Sequence, residues 1–243
     1  TDPAGKWKKS YQNALGNLIQ VEEPNPAGGA NWTTSYQYDL DSKLRVVTMP
    51  RGGVTQTRTF VYNSNGQLTS VQNPENGTTS YSYEEGRVKT KVDAKGQKIE
   101  YEYETTASKR LLMIKRYVNA STEDPAQRTY LYYDQNPWQW NYTDNAWGRV
   151  SGIEYQVNGM TFKESFAYTD AGAVTKKRVR IEKAGVNAAE LESLYNFNNE
   201  GQMTWMKLPD AYNTNGTLAN GRSFTYGFDT MARPSAMTED ATG

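Results

Sequence analysis

Apolar residues fall along this chain in short runs at every second position, and each run stops at a polar turn. The stretch "FVYNSNGQLTSVQNPENG", Phe60 to Gly77, shows the unit. A pair of rings two residues apart places both on one face of a β-strand. Turn formers follow, then a second short strand such as Leu68 to Val71, then a second turn, "NPENG". The ring pair recurs as Tyr36/Tyr38, Phe60/Tyr62, Tyr81/Tyr83, Tyr101/Tyr103, Phe166/Tyr168, Tyr195/Phe197 and Tyr226/Phe228, with Leu131/Tyr133 as a variant. After the second ring come "NSNG" (Asn63 to Gly66), "EEG" (Glu84 to Gly86), "TDAG" (Thr169 to Gly172) and "NNEG" (Asn198 to Gly201). Glycine reaches positive φ in such turns, and Asn or Asp folds its side chain onto its own backbone. Each unit is therefore predicted to be a β-hairpin.

The units repeat with a period. Gly5, Gly29, Gly53 and Gly77 stand 24 residues apart, and the phase loosens later through Gly96, Gly159, Gly221 and Gly243. A period of this length marks a repeat array. "DPAG" (Asp2 to Gly5) and "DATG" (Asp240 to Gly243) sit at the same point of the repeat, so the chain reads as part of a longer polypeptide. A lone hairpin is marginal in water, so successive hairpins must stabilise one another. The expected fold class is all-β: one continuous array over residues 1–243, about nine hairpin units in a long twisted antiparallel sheet. The rings are expected to form a buried ladder, with pairs from successive hairpins side by side. "NAAELESL" (Asn187 to Leu194) has local helix propensity, but its place before Tyr195 and Phe197 predicts an extended hairpin.

Composition narrows the chemistry. Hydrophobic residues make up 36% of 243, and 18 of them are Tyr, so tyrosine must do much of the burying. There is no Cys and no His. That removes disulfides, zinc sites of the usual kind, Ser-His-Asp triads and cysteine nucleophiles. Lys+Arg and Asp+Glu each total 27, and the one basic cluster, Lys176, Lys177, Arg178 and Arg180, alternates with Val179 and Ile181 as one strand would. Binding of nucleic acid is not expected. No apolar run reaches the ~20 residues of a membrane span.

The stretches "YQYDLDSKL" (Tyr36 to Leu44), "FVYNSNGQL" (Phe60 to Leu68), "YSYEEGRV" (Tyr81 to Val88), "YNFNNEGQM" (Tyr195 to Met203) and "YGFDTMARP" (Tyr226 to Pro234) resemble the YD repeats of Rhs proteins and teneurins. "QNALGNL" (Gln12 to Leu18) is similar, with Gln12 where the anchoring Tyr would stand. The resemblance implies a strip of sheet spiralling into part of a shell wall. In bacterial Rhs and toxin-complex proteins that shell encloses a toxic C-terminal domain until delivery; in teneurins it serves adhesion. It implies a secreted or surface-exposed bacterial protein whose partners are the remainder of the polypeptide and an enclosed toxin or client. Ser42 and Ala232 replace the turn glycine in two copies, which predicts turns of another type there. The unit from Gln97 to Val118 shows no clear turn glycine.

Candidate sites are few. "DQNPWQWNYTDNAW" (Asp134 to Trp147) is a Trp-rich insertion within a hairpin, and Trp138, Trp140, Tyr142 and Trp147 are its candidate binding residues. Spacing of Trp138 and Trp140 suits an extended hairpin packed on the sheet; cargo, a neighbouring wall turn or a glycan are the alternatives. Neighbouring carboxylates such as Glu22/Glu23, Glu84/Glu85 and Glu239/Asp240 point to opposite faces of a strand and make poor acid/base pairs. "DLDSK" (Asp39 to Lys43) lacks the further oxygen ligands and the glycine of a calcium loop. Gly28-Gly29 and Gly52-Gly53 open no helix, so phosphate loops fail on context. No catalytic residue, metal or cofactor is expected. Sequons at Asn31, Asn76, Asn119, Asn141 and Asn215 are assigned no role.

Overall fold

The computed structural model describes residues 6–140, 142–212 and 218–240. Gly5, Gly243 and the sequons at Asn141 and Asn215 therefore lie outside the described residues. The chain forms two compact units, Thr1–Glu100 with Tyr117–Glu123, and Tyr101–Arg116 with Asp124–Gly243.

The first unit carries β1 (Lys9–Gln12), β2 (Leu18–Glu23), β3 (Trp32–Tyr38), β4 (Leu44–Arg51), β5 (Val54–Tyr62), β6 (Leu68–Asn73), β7 (Gly77–Glu84), β8 (Arg87–Val92) and the start of β9 (Lys98–Tyr103). Each pairs antiparallel with the next in sequence. The second unit carries the end of β9, then β10 (Leu111–Arg116), β11 (Thr129–Tyr133), β12 (Val150–Val157), β13 (Met160–Tyr168), β14 (Val174–Lys183), β15 (Val186–Phe197), β16 (Met203–Lys207), β17 (Ala211–Tyr212), β18 (Leu218–Ala219), β19 (Ser223–Phe228) and β20 (Pro234–Glu239). From β10 to β16 neighbours in sequence pair antiparallel; β16 then pairs with β19, β19 with β20, and β17 with β18. Among the described residues the only helical element is a 3-10 turn, Pro125–Gln127. Asn187 to Leu194 lie in β15, where strand register overrides helix propensity.

Among the described residues one turn is written seven times. At Asn13, Asp39, Asn63, Asp93, Thr169, Asn198 and Asp229 the backbone N–H donates to the carbonyl four residues on, and the N–H three residues on donates back. In every copy the side-chain oxygen of that first residue also accepts from the N–H four residues on, at 2.8–3.0 Å. This is why Asp, Asn or Thr follows the second ring at Tyr38, Tyr62, Tyr168, Phe197 and Phe228, whereas Glu84 and Glu104 stand there in two other units. The fourth turn residue takes positive φ, +75° at Gly66 and +76° at Gly96. Ser42 (+60°) and Ala232 (+62°) adopt the same conformation, so these two turns are not of another type; the side-chain and backbone bonds hold non-glycine residues in a left-handed state that costs an L-residue about 1–2 kcal/mol. The unit lacking a turn glycine uses Lys109 (+49°) in its place.

A β-bulge is repeated too. In eight hairpins the register shifts at the step into the second-ring position: Tyr11/Gln12, Gln37/Tyr38, Val61/Tyr62, Ser82/Tyr83, Tyr132/Tyr133, Ala167/Tyr168, Asn196/Phe197 and Gly227/Phe228. Bulges bend the strand and add twist, and here they do so at the same place in each unit.

The rings depart from expectation in two respects. All fifteen ring positions (Tyr36, Tyr38, Phe60, Tyr62, Tyr81, Tyr83, Tyr101, Tyr103, Tyr133, Phe166, Tyr168, Tyr195, Phe197, Tyr226, Phe228) are half-buried, and none is fully buried. Nor are rings of successive hairpins side by side. The second strand of each hairpin stands between them, so first rings oppose Val47, Val71, Lys91, Lys177, Met206 and Met237. Two strand spacings, about 9–10 Å, separate one ring pair from the next.

Candidate functional site

Several turns of successive hairpins are tied by two kinds of contact, each kind running in one direction. The residue just after the turn reaches forward to the turn of the next hairpin. Asn17 Nδ2 donates to Ser42 Oγ at 2.8 Å, Gln67 Nε2 to the Gly86 carbonyl at 3.0 Å, Arg110 to Asp134 at 3.1 Å, Arg149 to the Asp170 carbonyl at 3.1 Å, and Gln202 Nε2 to the Ala232 carbonyl at 2.8 Å. Lys43 packs on Gly66 so closely that a Cβ there would come within 2.8 Å of its Cε. In return, the second-ring tyrosine reaches back to the residue that opens the preceding hairpin's second strand. Tyr38 donates to the Leu18 carbonyl at 2.9 Å, Tyr83 to Leu68 at 2.7 Å, Tyr133 to Leu111 at 3.0 Å and Tyr168 to Val150 at 2.5 Å. The ring body is half-buried while its hydroxyl satisfies a carbonyl, which is what Tyr supplies and Phe does not. Sequence reasoning found the rings but missed these partners. The recurring polar residue between turn glycine and Leu, Val or Met was the available signal.

The insertion between β11 and β12 is the most elaborate segment. Its described residues form no strand, so the extended hairpin predicted for Trp138 and Trp140 is not what forms; the chain is instead pinned by side chains to the sheet. Asn136, 2% exposed, donates to the Ser151 carbonyl at 3.0 Å and accepts from the N–H groups of Trp138 and Gln139. Trp138 Nε1 donates to Ser165 Oγ at 3.0 Å, and its ring meets Tyr132 edge-on with centroids 5.0 Å apart. Gly152 leaves room for that indole: a Cβ would lie 3.0 Å from it. Tyr142 is buried under Arg178, 4.9 Å from ring centroid to guanidinium, and burial, followed by the Glu192 carboxylate, pushes its hydroxyl pKa well up. Tyr132, Gly152, Ser165 and Arg178 are cross-strand partners in one row, on the face opposite Tyr133 and Phe166. The insertion thus covers the face away from the ring pairs, and the buried Ser151, Ser165 and Ala167 of the second unit lie on β12 and β13 where it packs.

The four candidate residues consequently part company. Trp138 and Tyr142 are anchors, whereas Trp140 and Trp147 stand 81% and 86% exposed. A second aromatic cleft, of about 520 Å³, lies in the first unit between Trp7, Trp32, Pro24 and Pro26; the sequence reading did not select those tryptophans.

The basic cluster on β14 is neutralised by carboxylates: Lys176 by Asp144 (3.1 Å), Lys177 by Glu164 (2.9 Å), Arg178 by Glu192 (2.7 Å) and Arg180 by Glu182 (2.7 Å) and Glu190 (2.8 Å). Asp39 and Asp41 are turn builders, Asp39 accepting from the N–H groups of Asp41 and Lys43, Asp41 pairing with Lys43. Among the described residues no group of three or more Asp or Glu is placed to hold a metal ion. No helix there is long and apolar enough to cross a membrane.

The described residues form a tandem array of antiparallel β-hairpins, in which one turn geometry recurs and several neighbouring hairpins are tied by side chains. Residues 62–98 match the RHS repeat family model. A crystal structure of TcdB2-TccC3 is similar over 95% of this chain and 13% of that one, with a TM-score of 0.64 and 16% identity. TcdB2-TccC3 without its hypervariable C-terminal region gives 0.64 and 17% over the same shares. A structure of the Photorhabdus luminescens Tc holotoxin pore gives 0.64 and 16% over 95% and 12%. The likeness is one of fold, and this chain spans only about an eighth of those chains. No curated protein matches the sequence.

Proposed function

We propose that this chain is a non-catalytic segment of the wall of an Rhs-like shell, which encloses and shields a C-terminal toxin or other client protein until delivery from a bacterium, outside the cell or at its surface. The observation that carries this reading is the one-way clamp. Several hairpins reach forward to the next and are held in return by its tyrosine, so the wall lengthens by repetition and no single contact is decisive. The likeness in fold to TcdB2-TccC3 over nearly the whole chain supports the same reading. The partners are then the remainder of the polypeptide and the enclosed client. Small-angle scattering on the full-length protein that contains this segment tests it: a hollow particle is expected, and a solid or rod-like one would remove the container.

Exposure of Trp140 and Trp147 on a pinned loop favours a second reading, surface adhesion through glycan stacking. Saturable oligosaccharide binding lost in Trp140→Ala and Trp147→Ala would favour it over containment.

A further inference from the structure

In the second unit the face away from the ring pairs carries a cleft of about 200 Å³ over β14, β15 and β16, lined by Arg178, Glu190, Glu192, Leu194, Lys207 and Asp210. Strand register sets these side chains in adjacent rows, Arg178 opposite Glu192 and Leu194 opposite Lys207. The charges in and beside the cleft are closed into pairs: Arg178 with Glu190 at 3.3 Å and Glu192 at 2.7 Å, Arg180 with Glu190 at 2.8 Å, and Lys207 with Asp210 at 2.9 Å.

One polar group behind this cleft is left without a bond. Tyr142 is 6% exposed, and among the described residues its buried hydroxyl has no hydrogen-bond partner. Arg178 covers the ring, and burial, then the Glu192 carboxylate that the hydroxyl faces, raises its pKa. Buried polar groups are almost always paired, so an orphan at a cleft is hydrogen-bonding capacity that a ligand can use. Two residues back along the chain Trp140 stands 81% exposed, and chain geometry alone keeps its Cα within about 7 Å of that of Tyr142.

We propose that this cleft is a subsite for one neutral sugar ring of an oligosaccharide whose next ring stacks on Trp140. A charged ligand would have to break an ion pair to enter, whereas sugar hydroxyls donate and accept at once and so add to groups of both signs. An ammonium carries three donors and a carboxylate about four acceptor sites, more than a single ion pair uses. One hydroxyl accepts from the Tyr142 phenol beside Glu192, and others bridge Lys207 and Asp210. The cleft is smaller than the roughly 300–1,000 Å³ of pockets for drug-sized ligands, which suits a single ring. The subsite rests on the adhesion reading and adds to it the charge class of the ligand and the polar residues that hold it.

The test titrates the full-length protein that contains this segment, by calorimetry, with cellotetraose, mannotetraose, sialyllactose and a heparin tetrasaccharide. Saturable binding of a neutral member is expected, with neither anionic one ahead of it. Tyr142→Phe removes a hydroxyl that holds nothing in the unliganded fold, and it and Lys207→Met should each weaken binding about three- to tenfold, in keeping with loss of one hydrogen bond. Unchanged hydrogen-exchange protection of β14, β15 and β16 in both variants shows that the sheet survives. Binding that Trp140→Ala abolishes but Tyr142→Phe and Lys207→Met leave unchanged overturns the subsite and leaves adhesion standing. Tighter binding of sialyllactose or heparin overturns the neutral ligand, and no saturable binding of any member overturns the subsite together with glycan adhesion.

Discussion

At the scale of single residues, the repeated letters are explained by hydrogen bonds with specific partners. The tyrosine hydroxyl ties its ring to the carbonyl that opens the second strand one hairpin back. Tyr38→Phe keeps the ring and removes that donor, so the chain should lose about 0.5–1.5 kcal/mol, read as a lower urea midpoint with unchanged m-value. Glu104 does the work of the turn aspartate in the unit that lacks a turn glycine. Arg110 foremost, then Ser108, hold its carboxyl at a pKa of about 2, below the ordinary 4.5. A depressed carboxylate pKa stabilises the fold above the unfolded value and ceases to as pH falls through the folded one. Stability should therefore decline between about pH 4.5 and pH 2, and Glu104→Gln should flatten that slope of thermal midpoint against pH. The Asp, Asn and Thr turn positions were legible in sequence because their bonding reaches only four residues. The partners of Tyr38 or Gln67 were not, since they lie 20 and 19 residues away.

At the scale of the element, the hairpin is a compromise between a fixed turn and a bulged register. Ala232→Gly relieves a left-handed alanine, and the gain should outweigh the extra entropy of glycine by a few tenths to about 1 kcal/mol, seen as a raised thermal midpoint. The opposite change at Gly152 should be costly for a different reason. Gly152→Leu fills the slot where Trp138 and Asn136 sit, 3.0 and 3.3 Å from the new Cβ, and expels the insertion; Trp fluorescence should shift to the red as Trp138 reaches water. Strand alternation foretold β11 and β12 on either side of the insertion. It misled inside it, because Trp138 and Trp140 two residues apart mimic a strand while Asn136, Trp138 and Tyr142 each bond or pack to a different strand.

At the scale of the molecule, stability is spread along the repeats and uneven. Hydrogen exchange should be fastest in β1 and β20, whose residues are all exposed, and slowest in β12 and β13, where Ser151, Ser165 and Ala167 are 0–1% exposed. Uniform protection along the chain would contradict this. The sequence by itself determined the strands that carry the ring pairs, the turns at Asn63, Thr169 and Asn198, the one-sided ring pairs and the family likeness, since each depends on residues within a few positions and on a period of two. Only the tertiary structure decided that the rings stay half in solvent, that intervening strands keep successive ring pairs apart, and that the tryptophan insertion packs on the opposite face. Those outcomes depend on which strand lies beside which, and on side chains that meet across hairpins, where neither alternation nor turn chemistry reaches.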